Sequence, residues 1–215
     1  MIKVYYDNDA NKIFNDSFTE EAKNLRLQEH IDSRNSVFPE KMYYIYAAAL
    51  RDRPEETNKD FCFFDIGAAE GAYSWVTLLR TEKADIFCFE PDLFRFEVLK
   101  ETLIAAANEK EYPENFNINI YQNIVSDSSN DIVELRYYED KKTQGVAGSS
   151  SIVKKDNSSK KNIDVPHTSI CLDDFVDKCE RVDVVKIDVE GAEILVLEGS
   201  IKFLNKFKPI ILLEV

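Results

Sequence analysis

The stretch Lys186-Ile187-Asp188-Val189-Glu190-Gly191-Ala192-Glu193 puts a lysine and three carboxylates at the end of an apolar run. Alternate residues of a strand share a face, so Lys186 and Asp188 point to the same side. Burying the two without partners is costly, which leaves a mutual ion pair of structural value or a functional site. In the functional case a carboxylate oriented by a lysine can take a proton from a hydroxyl, with Asp188 the first candidate for that base, Glu190 the second and Lys186 the orienting group. A divalent cation at Asp188 would need further oxygen ligands that no motif supplies, so no metal is assigned.

A second group of residues surrounds Asp65-Ile66-Gly67-Ala68-Ala69-Glu70-Gly71. Gly67 permits a tight turn, and Gly71 lets a following helix begin close to a ligand. The spacing is G-x-x-x-G, whereas a dinucleotide fingerprint needs a middle glycine for its pyrophosphate. Glu70 further disfavours a phosphate and suits a ligand bearing ammonium and sulfonium charge, such as S-adenosylmethionine. Glu90 ends the next apolar run, 25 residues after Asp65, about the distance at which α/β nucleoside sites place an acid on ribose hydroxyls. A solvated acid at a strand end is the equally weighted alternative for Glu90.

These positions need strands that end where the charges begin. Residues 61–67, 84–91, 182–188 and 209–215 are apolar runs of the kind buried on both faces. A further strand is expected over 118–125 and a half-exposed, antiparallel one over 132–138. Helices are expected over 71–80, 92–108, 172–178 and 192–198, with Asp92 capping the second and Leu93, Phe96, Leu99 and Leu103 forming its buried face. Residues 17–31 and 38–51 also carry helical periodicity, giving an N-terminal helical segment over 1–59 ahead of a core over 60–215. The polar stretch 141–162, with Gly145, Gly148 and a serine run, reads as a mobile loop. Alternating strands and helices imply an α/β fold, a doubly wound and mostly parallel sheet.

Composition narrows the partners. The formal charge of the 215 residues is -13, which repels nucleic acid. No signal sequence or membrane span is legible, so a cytoplasmic protein is expected. The four cysteines form no C-x-x-C pair, and Cys62 and Cys88 lie in apolar runs, so neither a disulfide framework nor a zinc site is expected. Only 6 glycines occur, fewer than the roughly 15 of average usage, so each one present answers a backbone need. His30 and His167 receive no role.

DIGAAEGAYS at 65–74, FEP at 89–91, NIVSD at 123–127, LDDF at 172–175 and VVKIDVEGAEILVLEG at 184–199 together resemble the FkbM-type methyltransferases. The resemblance covers 61–215 and is carried chiefly by the last segment. It implies a class I methyltransferase fold (Rossmann-like) that uses S-adenosylmethionine to methylate a hydroxyl of a sugar, polysaccharide unit or secondary metabolite. By matched position, Asp65, Gly67, Ala68 and Gly71 would line the methionine part, and Tyr73 and Ser74 would begin the flanking helix. Glu90 with Pro91 would hold the ribose, Ser126 and Asp127 would edge the adenine, and Asp188 would face the methyl group.

Two departures from the family stand out. Ala69 occupies a position where Asn is common, so a side-chain hydrogen bond is missing and weaker cofactor affinity is expected. The chain also stops at its fifth core strand, where the family continues through a helix and two antiparallel strands. An exposed sheet edge is therefore expected, covered by a homodimer or another partner, left in a shortened chain, or native to an abbreviated family member. A nicotinamide-dependent oxidoreductase, and an inactive nucleoside-binding or interaction module, remain the alternative readings.

Overall fold

Apart from Asp65 and Asp85, Phe61–Ile66 and Ala84–Phe89 consist of β-branched, aromatic and other apolar residues without an interior glycine, and both form strands (β2 and β3) buried at every position but Asp85. The computed structural model describes residues 3–6, 61–140, 145–151 and 162–214. With β1 (Lys3–Tyr6), β4 (Phe116–Tyr121), β9 (Val184–Ile187) and β10 (Ile210–Leu213), these strands build a six-stranded sheet in the order β1-β10-β9-β2-β3-β4. Every pairing in it is parallel. The winding reverses at β2, which lies between β3 and β9, so a crevice is expected beyond the carboxyl ends of these three strands.

The sheet buries alternate residues on opposite faces. Phe61, Phe63, Ile86, Cys88, Val184 and Leu212 pack on one side with Tyr73, Val76 and Leu78 of α1 (Ala72–Arg80) and Leu99, Leu103 and Ala106 of α2 (Leu93–Asn108). Cys62, Phe64, Ile66, Phe87, Phe89, Val185 and Ile187 pack on the other. There they meet Phe175 of a 3-10 turn (Leu172–Phe175), Val196 of α3 (Glu193–Glu198) and Phe203 of α4 (Ile201–Phe207). Phe64 lies at the middle of this second core, stacked 4.5 Å from Phe87 and edge-on to Phe203 at 4.9 Å and Phe175 at 5.7 Å.

A smaller sheet, ordered β5-β8-β6-β7, adjoins this core. It comprises β5 (Ile124–Val125), β6 (Ile132–Asp140), β7 (Gly145–Ser151) and β8 (Asn162–Ile170), with β6 antiparallel to both β7 and β8. The antiparallel character of β6 agrees with its alternating sequence.

Several expectations change. Part of the polar stretch is strand, because β7 pairs its glycine- and serine-rich backbone with β6 across a register shift; residues 152–161 lie outside the described residues. The strand expected over 118–125 is two strands in different sheets. Leu93 is 61% exposed, so the buried stripe of α2 runs through Leu99 and Leu103. Lys3–Tyr6, expected as part of a helical segment, is a strand that pairs with β10, so the last core strand is not the edge of the sheet. The helices expected over 17–31 and 38–51 lie outside the described residues. Asp92 caps α2 as expected, its carboxylate accepting from the Arg95 N–H at 2.9 Å. Among the described residues, no helix is long and apolar enough to cross a membrane.

Phe64→Ala removes the ring at the centre of the aromatic cluster. It should lower stability by about 3–5 kcal/mol, read as a shifted midpoint in denaturant unfolding.

Candidate functional site

The crevice at the reversal of winding is built by three strand ends. After β2 the backbone enters the left-handed region at Gly67 (φ 72), Ala69 (φ 48) and Gly71 (φ 87), folding the loop back toward α1. A side chain at Gly67 has no room, since its Cβ would lie 1.8 Å from the Asp188 carbonyl oxygen. The loops after β2 and β9 therefore touch, and the Asp188 N–H donates to the Ile66 carbonyl at 3.1 Å.

Glu90 stands at the end of β3 and is buried. One carboxylate oxygen accepts from the Ala69 N–H at 2.8 Å and the other from the Asp92 N–H at 2.9 Å. Burial pushes its carboxyl above the usual range, and the two N–H donors act against that rise. Each oxygen keeps a second lone pair, so the carboxylate can still accept from a ligand.

Behind the loops lies a buried charge cluster. Lys186 of β9, 2% exposed, donates from Nζ to the Gly67 carbonyl at 2.6 Å. The same ammonium is 3.3 Å from Asp188 Oδ2 and 3.5 Å from Asp65 Oδ1, and it lies 5.3 Å from the centre of the Tyr73 ring. The Ser74 hydroxyl donates to Asp65 Oδ2 at 2.6 Å. Burial pulls the Lys186 ammonium down, but Asp65 and Asp188 together outweigh it and hold the group above its ordinary value. The structural alternative for the Lys186–Asp188 spacing is realised as an ion pair, and Asp188 also lines the crevice.

The crevice is lined by Gly67, Glu90, Pro91, Asp188 and Glu190 of the residues singled out from sequence. Asp65, Ala68, Tyr73, Ser74 and Lys186 are buried behind this lining. Gly71 packs against Leu99 at the start of α1. Ser126 is buried, and its hydroxyl donates to the exposed carboxylate of Asp127 at 3.1 Å.

Arg95 and Leu135 also line the walls and lie in no motif singled out from sequence, whereas Asn123, Ile124, Val125 and Val189 lie in such motifs but carry no role there. The signal that marks Arg95 is its place in the first turn of the helix that follows Glu90, where its guanidinium lies 3.7 Å from Glu70. No local signal marks Leu135, which arrives from the antiparallel sheet. The result is a slot with apolar walls from Phe89, Ile124, Val125 and Leu135 and carboxylates from Glu90, Asp188 and Glu190.

Residues 65–215 match the family described as the methyltransferase FkbM domain. The crystal structure of methyltransferase FkbM from Methylobacillus flagellatus KT is similar, with a TM-score of 0.46 and 16% identity. That similarity covers 79% of this chain and 38% of the other, so the chain spans well under half the length of that protein. No curated protein matches the sequence.

Lys186→Met would leave the Asp65 carboxylate buried without its cation and should cost about 3–5 kcal/mol of stability near neutral pH. Asp65→Asn combined with Lys186→Met should cost less than the sum of the two single changes, as a double-mutant cycle would show. Because the Lys186 value is raised on folding from 10.5, its contribution is intact below that pH and is lost as pH climbs through the folded value. The gap in stability between parent and Lys186→Met should therefore stay level from pH 7 to 9 and narrow above about 10.5.

Proposed function

From the chain's membership of the FkbM methyltransferase domain family, we propose that it moves a methyl group from S-adenosylmethionine to a hydroxyl of a sugar, polysaccharide unit or small metabolite. The observation that carries this reading is the Glu90 carboxylate, fixed by two backbone N–H groups at the crevice rim with acceptor capacity to spare. Such a group suits a ribose diol. The apolar walls suit a flat base, and the carboxylates of Asp188 and Glu190 suit a cationic ligand rather than a diphosphate. The donor set therefore fits S-adenosylmethionine, with Gly67, Glu90 and Pro91 as its contacts.

When bound, S-adenosylmethionine supplies an electrophilic methyl carbon on a sulfonium. The chain's own task is alignment and the handling of one proton. Asp188, 29% exposed at its side chain and anchored 3.3 Å from the Lys186 ammonium, accepts the proton of the acceptor hydroxyl. Lys186 holds that carboxylate in place through its bond to the Gly67 carbonyl, so the base and the cofactor turn are tied to the same cation. Glu190 is the second candidate for the base.

Glu90→Ala should weaken binding of S-adenosylmethionine and of its demethylated product about 10- to 100-fold in calorimetry, the loss expected for hydrogen bonds to a charged group. Equal affinity for parent and variant, or no heat with either compound while nicotinamide dinucleotides bind, would overturn the reading. With methyl-labelled cofactor and a panel of hydroxylated acceptors, Asp188→Asn should reduce turnover about 10²- to 10⁴-fold and leave cofactor affinity nearly unchanged.

A further inference from the structure

The opposite end of the sheet carries chemistry of its own. At the amino ends of β2, β3 and β4 a second cavity is lined by Cys62, Asp85, Asn117, Lys178, Cys179 and Arg181, among others. Cys62 is the second residue of β2 and is 2% exposed, whereas Cys179 lies half-buried in the segment leading to β9. The two thiols, far apart in sequence, line the same cavity, and Cys179 packs against the apolar cluster that holds Cys62. The backbone at Cys62 is fixed, since its N–H donates to Asp183 Oδ2 at 2.8 Å and its carbonyl accepts from the Asp183 N–H at 3.0 Å.

We propose that Cys62 and Cys179 are a redox-active thiol pair, a modification site at which a hydroperoxide converts the two thiols into an intramolecular disulfide. The accessible member is Cys179. Its acidity is raised by the neighbouring Cys62 thiol and by the Lys206 and Lys178 ammonium groups, and opposed by burial and by Asp85. The Cys62 thiol is pushed up by the neighbouring Cys179 and by its burial, and Asp183 and Asp85 add to that, so it stays protonated until its partner has reacted.

The Cys179 sulfur attacks the peroxide and the O–O bond breaks. One oxygen stays on sulfur as a sulfenic acid, and the other leaves as alcohol or water with the thiol proton. The Cys62 sulfur then attacks the sulfenic sulfur, and its proton leaves with the displaced hydroxide as water. Two thiols give up two electrons and two protons, and one hydroperoxide accepts them. Cys88 has no part in this, being buried beside the Ser74 hydroxyl on the other face of the sheet. The site is remote from the crevice beyond the carboxyl ends of the strands, so the proposal stands or falls without any assumption about methyl transfer.

Hydrogen peroxide added to the purified, reduced protein is the direct test, with thiols counted after quenching and unfolding. The count should fall from 4 to 2, and non-reducing peptide mass mapping should find Cys62 joined to Cys179 within one chain. The loss should run at least roughly tenfold faster in native buffer than in denaturant, because the fold supplies the proximity. In Cys62→Ser, Cys179 should instead advance to the sulfinic acid; in Cys179→Ser, no linkage should form. Four surviving thiols in the parent, equal rates in native buffer and denaturant, or a linkage through Cys88, Cys171 or a second chain would each overturn the proposal.

Discussion

The Lys186 ammonium is the constraint on which the site depends. It is almost fully buried in the central part of the sheet, where an unpaired charge would not persist. Its partners come from three places: Asp65 within β2, the Gly67 carbonyl in the turn after β2, and Asp188 just past β9. Strand pairing alone brings β2 and β9 side by side, with Asp65 opposite Lys186 in register. The cation turns that register into a fixed relation between two loops, and those loops are the walls of the crevice. A buried pair of this kind is weak evidence for stability, since well-packed apolar residues often serve as well. What it supplies here is position.

Glu90 plays the matching part for the third strand end. Its carboxylate receives N–H groups from the β2 loop and from the start of α2, so one side chain closes the angle between two crossovers. The energy for holding these polar groups in place comes from the sheet itself. Phe61, Phe63, Phe64 and Phe89 are all nearly inaccessible to solvent, and together they bury large apolar areas on both faces of the sheet. A rigid, doubly covered sheet can carry strained loops at its ends at little risk to the fold.

This division explains what could be read from the amino-acid sequence. The strands β2, β3, β9 and β10 were legible because burial on both faces leaves apolar runs broken by at most one charged residue, and the crevice residues Gly67, Glu90, Asp188 and Glu190 because charge or glycine follows each run directly. Strand β7 was hidden, since glycine and serine carry little strand preference and its pairing with β6 is a backbone matter. Lys3–Tyr6 is too short to show a period, and its partner β10 lies at the far end of the chain. Helix α4 follows α3 after the break at Gly199 and Ser200, and only Phe203 of its face is fully buried, so little periodicity marks it. Leu135 and the meeting of Cys62 with Cys179 depend on contacts distant in sequence, which no local pattern encodes.

The backbone strain of the crevice points the same way. Among the described residues, four that are not glycine adopt positive φ, and two of these, Ala69 and Glu190, line the crevice. Lys208 occurs at a helix end, where such a conformation is ordinary. Ala69 and Glu190 each cost about 1 kcal/mol or more and persist only because their surroundings over-determine them. At Ala69 the surrounding constraint is visible, because the left-handed turn aims its N–H at Glu90. Beyond Glu190, Gly191 (φ 103) continues the turn, and its N–H is taken by Glu193 at 2.9 Å. An Asn at position 69 would accept the same φ at lower cost, so the Ala that stands there places the whole burden of shaping the turn on Glu90 and the flanking glycines. The crevice is thus formed by main chain first. The few carboxylates within it are carried on loops shaped by main-chain hydrogen bonds and left-handed turns.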